Sequence, residues 1–224
     1  MAQITLCVFD AYGTLFDVHA AIGRHAAAVG PQAGEVSRLW RLKQLEYTWT
    51  RSLMGRHADF WTLTQEALDF ALATFGIRDP GLRRSLLEAY RVLDAYPEVR
   101  PVLQRLKDAG LALAILSNGS PQMLADAVSA ARIGPLLDAV LSVEAEGIYK
   151  PDARVYRLVC KRFALEPAQV SFQSSNAWDA AGARAFGFSV AWINRSGQPP
   201  EYGFAPPTRT LASLEALPDA LLQA

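Results

Sequence analysis

Residues that hold metals or build disulfide scaffolds are scarce here. The 224 residues include two cysteines, Cys7 and Cys160, and three histidines, His19, His25 and His57. Two thiols give no disulfide framework and no metal-ligand spacing, and each reads as a small buried hydrophobe. Charge of either sign is not in excess: 22 basic residues balance 22 acidic ones. A nucleic acid or an anionic membrane surface is therefore not an expected partner. No apolar run approaches the roughly 18 residues of a membrane span. The N-terminus lacks the basic-then-apolar order of a signal peptide, so the expected location is cytoplasmic. There is no G-x-S-x-G elbow for a histidine-assisted hydrolase. Dinucleotide and P-loop fingerprints, internal repeats and low-complexity segments are also missing.

What is present is an alternation of short apolar runs with helical stretches. Ile4-Thr5-Leu6-Cys7-Val8-Phe9 has the length and β-branched character of a buried parallel strand. Further strands are expected at about 111–116, 139–143, 170–173 and 189–193, with helices at about 99–109, 120–132 and 153–163, one that follows the 174–179 cluster and runs to 186, and one at about 212–222. Between about 17 and 96 no strand fits. Four helical stretches do, at about 17–29, 35–53, 57–75 and 80–95, broken by Gly30-Pro31, Gly55, Gly76 and Asp79-Pro80. The fold class is therefore α/β: a Rossmann-like parallel sheet core, residues 1–16 and 97–224, with an inserted all-helical cap, residues 17–96.

Polar clusters fall at the same end of successive strands: Asp10, Ser117-Asn118, Lys150, and Ser174 to Asp179. That end is where open α/β sheets bind ligands. Singly, each residue has an ordinary explanation. Asp10 before Gly13 reads equally as a turn residue or as a delivered carboxylate. Thr14, Ser117 and Asn118 fit turn and capping chemistry, or anion capture at a strand-to-helix turn. Asp179 suits the first turn of a helix. Lys150 reads as a solvated lysine, Tyr156 as a helix-face aromatic and Arg41 as a solvent-facing helix arginine. Leu45, Phe60 and Trp61 fit the helical core.

The segment Asp10-Ala11-Tyr12-Gly13-Thr14-Leu15-Phe16-Asp17 resembles the nucleophile motif of the haloacid dehalogenase superfamily. In its D-x-Y-G-T-L-x-D form it is similar to the type II (S)-2-haloacid dehalogenases, and the likeness runs through the later clusters over nearly the whole chain. Superfamily phosphatases carry a second aspartate where this chain has Tyr12. They also carry acidic metal ligands where it has Ser174-Ser175-Asn176. Asp10 and Asp179 alone are a poor set for a divalent cation, which wants several oxygen ligands. Neither a metal nor another cofactor is expected.

The resemblance implies a hydrolase that converts (S)-2-haloacids to (R)-2-hydroxyacids and halide through an ester on Asp10, with inversion. Asp10 would be the nucleophile, kept ionised by Lys150. Asp179 would polarise the hydrolytic water with Asn176 orienting it, and Thr14, Ser174 and Tyr156 would complete the catalytic set. Ala11, Tyr12, Ser117 and Asn118 would meet the substrate. Arg41, Asn118 and Trp178 would cradle the halide, and Leu45, Phe60 and Trp61 would wall the alkyl part. A homodimer formed through cap helices is a further expectation. A magnesium-dependent phosphatase and a non-catalytic carboxylate binder are the rival readings.

Overall fold

The structure is a computed structural model and describes residues 3–222; the outermost two positions at each end of the expected core lie outside it. Six strands form one parallel sheet: β1 (Leu6–Phe9), β2 (Ala112–Ser117), β3 (Ala139–Ser142), β4 (Val170–Ser174), β5 (Ser189–Ile193) and β6 (Arg209–Leu211). Their order is β3-β2-β1-β4-β5-β6. The four residues of β1 are fully buried. Its apolar run is continuous because both neighbours and both faces are covered. Val8 pairs with Ala114 on one side and with Phe172 on the other. The order reverses at β1 and β4, so the crevice at their carboxyl ends is the switch point where such sheets take ligands.

Five helices follow β1 before the chain returns to the sheet: α1 (Ala20–Arg24), α2 (Ala26–Val29), α3 (Ala33–Met54), α4 (Phe60–Thr74) and α5 (Pro80–Arg91). Residues 17–96 contain no strand. Asp59 caps α4 by accepting from Thr62 N, and Asp79 caps α5 by accepting from Gly81 N and Leu82 N. Gly55 ends α3 in the left-handed region. The two connections to the core run side by side, with Asp17 N donating to Asp94 O at 2.9 Å and Tyr96 N to Leu15 O at 3.0 Å. α3 and α4 pack against each other, and α3 reaches the core through Arg41 and Trp49, which meet Tyr12 and Trp178.

The remaining helices are α6 (Val99–Asp108), α7 (Pro121–Ala130), α8 (Ala153–Phe163), α9 (Ala177–Phe186) and α10 (Leu217–Leu222). None of the described helices is long and apolar enough to cross a membrane.

Two expectations need correction. The stretch 17–29 is not one helix, because Asp17 Oδ1 takes the His19 N–H and the chain breaks again at His25. The stretch 212–222 is not one helix either. β6 lies just before it as a three-residue edge strand, a short 3-10 turn spans Leu214–Ala216, and α10 begins only at Leu217. Pro218 falls in the first turn of α10, where its missing N–H costs nothing. β6 is too short for any period to show, and the prolines before it hide it.

Candidate active site

Asp10 leaves the end of β1 with its amide donating to Gln173 O at 2.9 Å. Gly13 follows at φ +95°, where a side chain would be strained and a Cβ would stand 3.1 Å from Ser175 Oγ. That turn folds Thr14 back over Asp10, and the Ala11 carbonyl accepts from the amides of Leu15 and Phe16.

The Asp10 carboxylate is held on both oxygens. Oδ1 accepts from Lys150 Nζ at 3.0 Å; Oδ2 accepts from Asn176 Nδ2 at 2.8 Å and from Thr14 Oγ1 at 3.2 Å. Lys150 Nζ also donates to Asp179 Oδ2 at 2.9 Å. Tyr156 OH donates to Asp179 Oδ1 at 2.8 Å. Lys150 is 1% exposed and Asp179 0%, so one ammonium bridges two carboxylates away from solvent. A buried charge survives only when paired in this way.

Burial alone would push the Lys150 ammonium down. Asp10 and then Asp179 more than reverse this and hold its pKa above the ordinary lysine value. Burial pushes the Asp179 carboxyl up; Lys150 opposes this, and the nearby Asp10 charge adds to it. Burial also lifts the Tyr156 phenol well above its usual range, so it stays a donor.

Gly182 makes the Tyr156 contact geometrically feasible. A Cβ there would come within 2.6 Å of both Tyr156 OH and Pro151 Cβ.

From the helical side, Arg41 on α3 reaches the same point. Its Nη2 donates to Tyr12 O at 3.1 Å and to Asn176 Oδ1 at 3.4 Å, and its Nη1 donates to Gln44 Oε1 at 2.8 Å. Tyr12 is buried in an aromatic wall, with ring centroids 5.9 Å from Phe60 and 5.8 Å from Tyr90. Asp10, Thr14, Lys150, Tyr156, Asn176, Asp179 and Arg41 thus form one hydrogen-bonded network.

Asn118 joins through its Oδ1, which accepts from Lys150 N at 3.2 Å. Ser174 Oγ accepts from Asn176 N at 3.1 Å. Ser117 Oγ accepts from Gly119 N at 3.0 Å, which shapes the turn after β2. Trp178 packs edge-to-face on Trp49 of α3, 5.4 Å between centroids. Leu45 is half-buried on α3, one turn beyond Arg41. Trp61 carries the Arg91 guanidinium 5.0 Å from its ring. Among the described residues, no three His, Cys, Asp or Glu side chains gather as a metal ion would require.

Three residues of this network, Gln44, Tyr90 and Arg195, are absent from the sequence reading, and a fourth, Ser175, was named there only within its cluster, without a role. Gln44 holds Arg41, and its three-residue spacing from Arg41 on a helix was a usable signal. Tyr90 OH donates to Gln44 Oε1 at 3.1 Å. Ser175 N donates to Thr14 Oγ1 at 2.8 Å. Arg195 Nη2 donates to Thr14 O at 2.9 Å while Nη1 pairs with Glu98 at 2.6 Å. Nothing local marked Tyr90 or Arg195.

The model of the haloacid dehalogenase-like hydrolases matches residues 4–187. The chain belongs to that family. Among curated relatives of this hydrolase, (S)-2-haloacid dehalogenase 1 from Pseudomonas sp. (strain CBS-3) is 53% identical over 224 residues, covering 100% of this chain and 99% of that protein. A crystal structure of a dehalogenase superposes with TM-score 0.97 at 50% identity, covering 99% of this chain and 98% of that one. The L-2-haloacid dehalogenase of Xanthobacter autotrophicus, with chloropropionic acid covalently bound, gives TM-score 0.90 at 38% identity, covering 98% and 99%. The α/β core with a parallel sheet is the fold of the haloacid dehalogenase family, as the sequence reading expected.

Proposed function

We propose that this chain is an (S)-2-haloacid dehalogenase that yields (R)-2-hydroxyacids and halide through an ester on Asp10. The observation that carries this reading is the Asp10 carboxylate, fixed between Lys150 Nζ and Asn176 Nδ2 at the mouth of β1, with an aromatic residue, Tyr12, two positions on. The covalent chloropropionic acid in the Xanthobacter autotrophicus relative supports the ester step.

An Asp10 oxygen attacks C2 opposite the halogen. The new C–O bond forms as the carbon–halogen bond breaks, and halide leaves with the bonding pair, inverting the centre. Arg41 lies beside the Tyr12 carbonyl, where its weakly hydrated cation offsets the developing halide charge, together with Asn118 and Trp178. Ser117, Asn118 and the Ala11–Tyr12 backbone hold the substrate carboxylate, and Leu45 and Phe60 wall its alkyl part.

Water then attacks Cγ of the Asp10 ester. Asp179 takes the water's proton; burial makes its carboxylate a stronger base. The Cγ–O bond to the substrate breaks, and the departing alkoxide takes that proton from Asp179. The acid proton left on Asp10 passes to solvent. Lys150, Thr14 and Asn176 hold Asp10 in place throughout, Ser174 fixes Asn176, and Tyr156 fixes Asp179. No cofactor enters this scheme.

In the same reading, residues 1–16 and 97–224 are the core, residues 17–96 a cap over the crevice, and the enzyme a cytoplasmic homodimer. Chloride release tests the activity: the S isomer of 2-chloropropionate is turned over and the R isomer is not, with or without a chelator. Release from both isomers, or turnover of aryl phosphate lost on chelation, would contradict it.

A further inference from the structure

Gln44 is fully buried on α3, and its bonds join Arg41 of the same helix to Thr64 of α4 and Tyr90 of α5. Its Oε1 accepts from Arg41 Nη1 at 2.8 Å and from Tyr90 OH at 3.1 Å. Its Nε2 donates to Thr64 Oγ1 at 2.7 Å. Thr64 Oγ1 in turn donates to Phe60 O at 2.7 Å. The sense of the amide is forced. A guanidinium has only donors, so the group facing Arg41 must be the carbonyl oxygen. Thr64 locks the other end, because its hydroxyl proton is already given to Phe60 and only its lone pairs remain for Nε2. Tyr90 takes the second lone pair of Oε1, leaving the amide no alternative orientation.

We propose that Gln44 is a positioning residue for halide departure: it fixes the Arg41 guanidinium over the crevice and ties that placement to Phe60. This inference rests on the dehalogenase reading above. Without Gln44, Nη1 of Arg41 loses its acceptor, and a flexible four-bond side chain regains rotamers. The guanidinium then spends less time where halide charge develops.

A defect of this kind depends on the leaving group. Chloride is the poorer leaving group and needs more stabilisation than bromide. Loss of one charge-assisted hydrogen bond corresponds to roughly tenfold in rate.

The test compares kcat/KM for (S)-2-chloropropionate and (S)-2-bromopropionate, since kcat/KM covers the steps through carbon–halogen cleavage. Gln44→Met is expected to lose about tenfold on the chloro substrate and about threefold or less on the bromo substrate, so the bromo-to-chloro ratio rises. A merely structural role would lower both equally, and an unchanged ratio overturns the proposal.

If Gln44→Met fails to fold, Thr64→Val releases the amide instead. It is expected to raise the ratio in the same direction by a smaller factor; no rise in that variant overturns the proposal. Chloride NMR line broadening needs no turnover and separates this inference from the reading it rests on. Wild-type protein that dehalogenates neither substrate would sink the reading. Chloride broadening equal in wild type and the Gln44 variant would sink the inference.

Discussion

The two sides of the crevice are built on different terms. The floor is a buried ladder of charge beyond the carboxyl ends of the parallel strands: Asp10, Lys150 and Asp179 are each nearly or wholly shielded from water, and the one ammonium bridges the two carboxylates. The roof is one half-buried arginine on a helix, held by neutral groups. In the floor, the side chains proposed for catalysis also hold the fold, because removing one member leaves its partners as uncompensated buried charge. In the roof they are separable, because Arg41 already touches water and its neighbours remain paired without it.

That contrast can be broken experimentally. Lys150→Met is expected to lower kcat by about a thousandfold or more, and to cost about 3–5 kcal/mol of stability by leaving Asp10 and Asp179 unpaired. Urea unfolding alongside halide-release kinetics reads both. Arg41→Ala should lower kcat by about a hundredfold while shifting stability by no more than about 1 kcal/mol. Equal destabilisation by the two substitutions would abolish the distinction.

A milder probe of the floor is Gly182→Ala. Its Cβ would overlap Tyr156 OH and Pro151, so about 1–3 kcal/mol of stability is lost to overpacking. A roughly tenfold fall in kcat should follow as the Tyr156–Asp179 bond is displaced.

Titration sharpens the contrast further. The folded-state pKa of Lys150 lies above its ordinary 10.5. The stability its ammonium contributes is therefore fully present below pH 10.5 and lost as pH rises through the higher folded value. Asp179 runs the other way: its folded pKa exceeds 3.8, so the native state binds that proton more tightly, and its contribution declines as pH rises from 3.8 through the folded value. Urea midpoints should thus drop at alkaline pH above 10.5 in the wild type, and drop less in Lys150→Met, where the buried Tyr156 phenol and Cys7 thiol still act in the same direction.

The smallest effect concerns the thiols. Burial pushes the Cys7 thiol up to about 12, so alkylation of the native protein at neutral pH should leave Cys7 unmodified and cost no activity. Modification of Cys7 in folded protein would show that β1, the floor's central strand, opens.

The same contrast explains what could be read from sequence. The floor residues follow apolar runs of strand length, so their position at the carboxyl edge was legible once the strands were. The structure brings Lys150 and Asn176 within hydrogen-bond distance of Asp10, at 3.0 Å and 2.8 Å. The roof was less legible. Arg41, Leu45 and Phe60 drew notice through resemblance. Gln44, Thr64 and Tyr90 did not, because a buried neutral polar residue inside a helix leaves no periodic trace. Ser175 was hidden within a cluster whose neighbours drew the attention. Arg195 reaches Thr14 from the far end of β5, a contact that only the tertiary fold creates. β6 escaped because three residues at a sheet edge carry no pattern.

The most direct test of the ester on Asp10 is a single turnover in heavy-oxygen water, with enzyme in excess over (S)-2-chloropropionate. The account predicts unlabelled lactate and heavy oxygen in the peptide that carries Asp10, because the product's new oxygen comes from the carboxylate and water restores it. Heavy oxygen in the lactate with none in that peptide would mean that water attacks C2 directly, and the account would be contradicted.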